Sequence, residues 1–371
     1  MMQPSLIPAL GPNPLPASYW VFVLLLVVTF VLHIIAMNFM LGGAVVALLA
    51  KWRSKNRVHG NRVFFDVAKK LPSLLPATIT LGIAPLLFVQ VLYGRFFYTS
   101  SIIMAWPWFL VLVFLTIAYY GFYYVSFRSG QHPGRAGAVM LSSVILIIII
   151  GFLFSNNITL SQTPSRWGAK YFADPSGWNL NLSELTLIPR FLHFFVAAVA
   201  LGGLFLVFVA LANWKRDHDY ARQVLQFGGK AFLYATMAQF AVGIWFLISL
   251  PRGMRMLFMG DSPLATTLFL IGITGGLAAL FLMSGALRNE NLRVAAYLVP
   301  GIVGVVIICM SVMRDLLRDA YLKPWFNPGQ LAEKTQWSVF PLFLVLFVAG
   351  VILWLAMLAR YGFFAGKKKS A

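Results

Sequence analysis

The chain has 371 residues, 60% of them hydrophobic and 11% charged, with a mean hydropathy of +0.82. These values exclude a soluble globular domain and identify an integral membrane protein. The formal net charge of +19 does not point to nucleic acid, because the basic residues fall where membrane topology puts them.

Nine apolar runs are long enough to cross a bilayer, at roughly 19–50, 73–94, 102–127, 138–158, 188–213, 229–250, 264–287, 293–313 and 338–360. The first lacks a basic leader and a small-residue cleavage site, so it reads as a retained span. Nine spans alternate the loops between two sides. One set (51–72, 128–137, 214–230, 288–293 and the tail from Arg360) holds 19 of the 29 Lys and Arg. The positive-inside rule makes that side cytoplasmic, with the N-terminus outside and the terminal "GKKKSA" inside. The expected compartment is the bacterial inner membrane. The single cysteine, Cys309, lies in the eighth run, so neither a disulfide framework nor a Cys-x-x-Cys-His site for covalent haem attachment is present.

The first run contains "LHIIAMNFMLGGAVVALLAKWR", and the fifth contains "LHFFVAAVALGGLFLVFVALANWKR". The two share a histidine, a Leu-Gly-Gly and a tryptophan beside basic residues. Downstream, "ATITLGIAPLLF" and "ATMAQFAVGIWF" begin at nearly the same offset. The chain therefore reads as an all-α bundle built by duplication, with both units running in the same direction across the membrane. The first four-helix bundle is 1–160, a periplasmic connection is 161–187, the second bundle is 188–337, and 338–371 is a ninth span with a basic tail. The glycines fit close helix packing, or room for a flat cofactor against the backbone.

Three of the five histidines, His59, His132 and His218, sit in basic loops and read as solvated. His33 and His193 sit in hydrocarbon, where a polar ring is costly without a partner and is functional by default. Each precedes its loop tryptophan, Trp52 or Trp214, by about 20 residues, or about 30 Å of helix, which places both imidazoles toward the outer face. An axial haem ligand is the role that such an imidazole in a helical bundle fits. Zinc or copper would want three or four clustered ligands, which the spans do not supply.

At this point the chain resembles subunit I of the cytochrome bd quinol oxidases, through spans 1 to 9 in order. The resemblance rests on "LHIIAMNFMLGG", on "SNNITLSQTP" closing the fourth span, which is similar to the family's Ala-Asn-Gly-Trp-Met-Gln-Asn-Pro, and on "RFLHFFVAAVALGG" in the fifth. It implies that His33 is the axial ligand of a haem in the oxygen-side pair and His193 that of the low-spin haem b. The family's second low-spin ligand is a methionine two residues after an arginine in the seventh span. Here that spacing occurs as Arg252 and Met254, just before the span, with Met256 and Met259 as further candidates. The family's two third-span glutamates are absent from "SIIMAWPWFLVLVFLTIAYYGF", which removes a proton route to an oxygen-reducing site. The eighth-span Trp-x-x-x-Glu-x-Gly-Arg-Gln-Pro-Trp survives as "DLLRDAYLKPW", with Asp319 at the glutamate position, a candidate proton-carrying or haem-side carboxylate. Arg314 and Arg318 either pair with haem propionates or form a solvated cluster. The quinol loop shrinks to residues 251–263.

The sequence thus reads as a divergent bd-type subunit holding one or two b-type haems, three at most, none covalent. It passes electrons to or from other membrane subunits, a periplasmic c-type cytochrome or iron–sulfur protein, or quinone. Two alternatives stay open: a terminal oxidase with an atypical proton path, and a non-redox anchor or transporter on a decayed bd scaffold.

Overall fold

The structure, a computed structural model, describes residues 14–53, 57–128, 130, 132–327 and 330–360; the C-terminal "GKKKSA" lies outside them. Nine membrane-length helices occur among the described residues: α1 (Tyr19–Arg53), α3 (Leu71–Ile103), α4 (Ala105–Arg128), α5 (Pro133–Ser161), α7 (Leu187–Asn213), α8 (His218–Ser249), α10 (Pro263–Arg288), α11 (Val299–Leu322) and α12 (Val339–Arg360). The protein is an all-helical, multi-pass membrane protein, as the nine apolar runs require. Short helices α2 (Arg57–Ala68), α6 (Trp167–Ala173) and α9 (Arg252–Met256) lie in the connections. The spans begin and end at two faces, named here the basic face (loops after Arg53, Arg128, Asn213 and Arg288) and the connector face, which carries residues 162–186.

The bundle centre is where α1 meets α7, and its cause is glycine. A Cβ on Gly42 would lie 1.7 Å from the Ala198 carbonyl oxygen, and one on Gly202 would lie 2.2 Å from Gly42 backbone. The two Leu-Gly-Gly motifs therefore press on each other, each admitting the other's backbone, which is how helices gain contact in lipid. The second glycines diverge: Gly43 faces the Phe205 ring, whereas Gly203 admits Gly228 and Phe232 of α8. Around this seam α1 packs on α3, α7 on α8, α4 on α5 and α10 on α11. The α12 helix, with none of its most apolar stretch buried, sits at the periphery.

Helix α2 was not expected, since residues 51–72 read as a loop. Its sequence "RVHGNRVFFDVA" is too polar to span, but Val63, Phe64, Val67 and Ala68 recur at three-to-four spacing and are buried. It staples the two halves of the chain at the basic face. Arg62 donates to Asp217 at 2.5 Å, its guanidinium lies 3.7 Å over the Tyr220 ring, and the Tyr220 hydroxyl donates to Asp66 at 2.6 Å. Asp217 also caps α8 by accepting from the Tyr220 amide. The Arg62 hydrogen bond, then that amide, hold the Asp217 carboxyl below its usual range. A depressed folded-state pKa stabilises the fold above the unfolded value of about 3.9, and the gain is lost as pH falls through the lower, folded value. Asp217→Ala is expected to lower the thermal midpoint of the solubilised protein at neutral pH, and the gap to wild type should close below pH 4.

The connector is clamped by the polar stretch that ends α5. Asn156 accepts from the Asn181 amide at 3.0 Å, the Asn181 side chain donates to Thr159, and Trp167 donates to the Leu160 carbonyl at 2.8 Å. Asn156, Thr159 and Asn181 are buried, and burial of the groups that make these bonds is tolerated because each has a partner. A second tie joins the N-terminal segment to the approach to α12: Leu15 bridges Glu333, whose carboxylate accepts from the Tyr19 amide at 2.7 Å.

Candidate functional site

His33 and His193 lie on the two central helices, toward the connector face. The His33 Nδ1 donates to the Thr78 carbonyl at 3.0 Å, on α3. A carbonyl oxygen only accepts, so Nδ1 carries the proton and the lone pair of the neutral ring is on Nε2. The ring rests on Gly82, where a Cβ would come within 2.7 Å of its Cε1. Gly82→Leu is therefore expected to displace the ring and break its bond to Thr78, read by loss of whatever the imidazole holds with little change in yield.

His193 repeats the arrangement on α7 and α8. Its ring faces Gly243, where a Cβ would lie 3.3 Å from Cε1. Gln239, one turn before Gly243 as Thr78 is before Gly82, donates to the His193 carbonyl at 2.9 Å. The ring has no such acceptor among the described residues, where His193 Nδ1 is buried without a partner. Residues 191–197 are all partly exposed although α7 is the most enclosed of the described spans, so the turn bearing His193 has room on every side. Both histidines thus present an uncommitted lone pair inside an apolar bundle, above a glycine of the following span.

Among the described residues no three His, Cys, Asp or Glu side chains gather around a common point. Each imidazole is a lone protein ligand, which suits a metal that brings its other ligands with it, as a porphyrin iron does.

The other expected site residues separate. Arg314, on α11, lies 4.3 Å over the ring of Phe30, one turn before His33, with no hydrogen bond or ion pair among the described residues. Arg318 instead is bonded to Asp315, lies 3.8 Å from Asp319 and stacks 3.9 Å over Tyr93. It is neutralised within its own helix, not solvated. Asp319 accepts from Tyr93 at 2.6 Å, and Tyr93 meets the Tyr19 hydroxyl at 3.2 Å. Arg252 is exposed. Met254 packs beside Leu250, Phe258, Met313 and Leu317, in a cluster that includes Phe246, whose ring is 6.1 Å from that of His193. Met256 is partly buried and Met259 exposed.

Arg190 joins the site without having been expected there. It is 5% exposed, one turn before His193, donates to Gln162 at 2.9 Å and has a buried, unpartnered Nε. Its only sequence signal is a lone charge near the start of an apolar run. Thr78, Gly82 and Gly243 carry none, since their part depends on register between helices.

No protein-family profile matches the sequence, and no curated protein matches it. Among solved structures, a chain of the bd oxidase from Geobacillus thermodenitrificans is similar, with a TM-score of 0.69 over 92% of this chain and 97% of that one, at 13% identity. The chain has the fold of that bd oxidase chain over nearly its whole length.

Proposed function

We propose that this chain is a b-type haem-binding subunit of a respiratory electron-transfer complex in the bacterial inner membrane, relaying electrons between a quinone pool or a periplasmic c-type cytochrome or iron–sulfur protein and partner membrane subunits. The observation that carries the proposal is the pair of imidazoles at equivalent places on α1 and α7, each over a glycine and each with a nitrogen uncommitted to protein. The shared bd oxidase fold supports it. The basic face is cytoplasmic on this reading, and the two histidine-bearing units are 1–160 and 188–337.

His33 and His193 hold one haem each by coordination. When bound, the haem supplies one-electron chemistry at its iron. The residues around the imidazoles orient and insulate. Thr78 fixes the tautomer of His33 and raises its basicity, as a second partner of a ligating histidine does. Gly82 and Gly243 let the rings approach the backbone, and the apolar spans exclude water. Arg252 and Met254 lie on the His193 side, with Met254 the candidate second ligand there.

Relay is favoured over oxygen reduction by how the carboxylates are used. Asp315, buried within a span, is committed to Arg318, and Asp319 to Tyr93. The α4 helix, where such carboxylates would be needed for a proton route, has no acidic residue. The purified, reduced complex should pass electrons to an oxidised c-type cytochrome while oxygen uptake stays at background. Sustained, cyanide-sensitive oxygen uptake would move the protein to the oxidases.

A further inference from the structure

Each histidine has one guanidinium a helical turn toward the connector face, and the two come from different helices. In the second unit it is Arg190, three residues before His193 on α7. The matching position before His33 is Phe30, which carries no charge, yet Arg314 reaches across from α11 and lies 4.3 Å over that phenyl ring. Arg190 lies 5.2 Å over Phe246, the ring that also faces His193.

Neither cation has an ion-pair partner among the described residues. Among the described residues Arg190 is bonded to the neutral Gln162 alone, and its buried Nε has no partner there. The nearby Glu184 is taken by Arg166 at 3.2 Å. Arg314 has no carboxylate among the described residues, since Asp315 turns to Arg318. An unpaired cation within an apolar bundle is strongly unfavourable, and such residues normally meet an anion. Two of them, each placed the same way relative to an imidazole, call for the same anion twice.

We infer that Arg190 and Arg314 are equivalent carboxylate clamps, binding the propionates of the haems ligated by His193 and His33 and fixing both haems with their acidic edges toward the connector face. This rests on the haem reading above and adds to it the orientation of the ligand and a residue, Arg190, in binding. The duplicated bundle keeps the charge where it is needed although the second unit takes it from its own α7 and the first borrows it from α11.

The test titrates haem-depleted, full-length protein in detergent with haem as the free acid and as the dimethyl ester. His33→Ala isolates the His193 site, and His193→Ala isolates the His33 site. One lost charge-assisted hydrogen bond corresponds to about tenfold in affinity or more. The free acid should therefore bind each site at least about tenfold tighter than the ester. Arg190→Gln should abolish that preference at the His193 site alone, and Arg314→Gln at the His33 site alone. Arg→Lys at either place should keep part of it, and Arg222→Gln, on the basic face, should change nothing. A separate readout needs no ligand: Arg190→Met should raise the thermal midpoint of the haem-free chain, because it removes an uncompensated buried charge. Haem binding that keeps full preference for the free acid in both Gln variants, or a Met variant that is less stable without haem, overturns the inference. Binding of neither porphyrin by wild type overturns the haem reading itself.

Discussion

Substituting His193 with alanine should remove one haem per chain and leave the other in place, and His33→Ala should do the converse. The two rings are held independently, His33 between α1 and α3 and His193 between α7 and α8. They should also differ in strength and potential. The Thr78 carbonyl holds the His33 ring and makes Nε2 more basic, which stabilises the oxidised iron. His193 has no hydrogen-bond partner at Nδ1. In a potentiometric titration the component lost in His33→Ala should therefore be the lower-potential one, and the haem at His193 should be extracted more readily. External imidazole should restore the missing bands in His193→Gly, which separates lost ligation from lost folding. Simultaneous loss of all haem in either single variant, with the protein still folded, would show that the two sites are not separate.

The second large effect is on the fold. Gly42→Val and Gly202→Val should each prevent recovery of stable protein, because the new Cβ would meet backbone of the facing helix, which cannot rotate away as a side chain can. Overpacking of an interior typically costs roughly 1–3 kcal/mol, and a backbone contact of this kind belongs at or above the top of that range. The α1–α7 seam also sets the spacing of the two histidine sites, so any Gly42→Ala protein that is recovered should show disturbed haem content as well. Gly304→Ala, on α11 where a Cβ meets nothing within 4 Å, should be neutral or slightly stabilising. Thermal midpoints and yields of the four variants in detergent provide the comparison, and a Gly202→Val protein as stable as wild type would contradict the packing described.

The spans were legible because each is a long apolar run, and the two central histidines because a lone imidazole stands out in such a run. Helix α2 was not, since its burial depends on a four-residue apolar face that only contact with α1, α4 and α8 reveals. The glycine under each imidazole was hidden by register. Pairing the two "Ala-Thr" stretches, as their sequences suggest, sets Gly82 against Phe240, whereas the histidines pair Gly82 with Gly243, almost one helical turn further on. Arg190 and Arg314 were illegible as a pair because equivalent charges come from non-equivalent helices. Arg318 had the opposite difficulty: it looks like its neighbour Arg314 in sequence, and only the structure shows Asp315 occupying it.

The most direct test of the central claim is a reduced-minus-oxidised visible spectrum of the purified wild-type chain, with haem quantified per chain after extraction in acid acetone. The account predicts b-type bands, two haems per chain, and complete extraction, because nothing but His33, His193 and their surroundings holds the haem. A colourless protein, or haem that resists extraction, would contradict it.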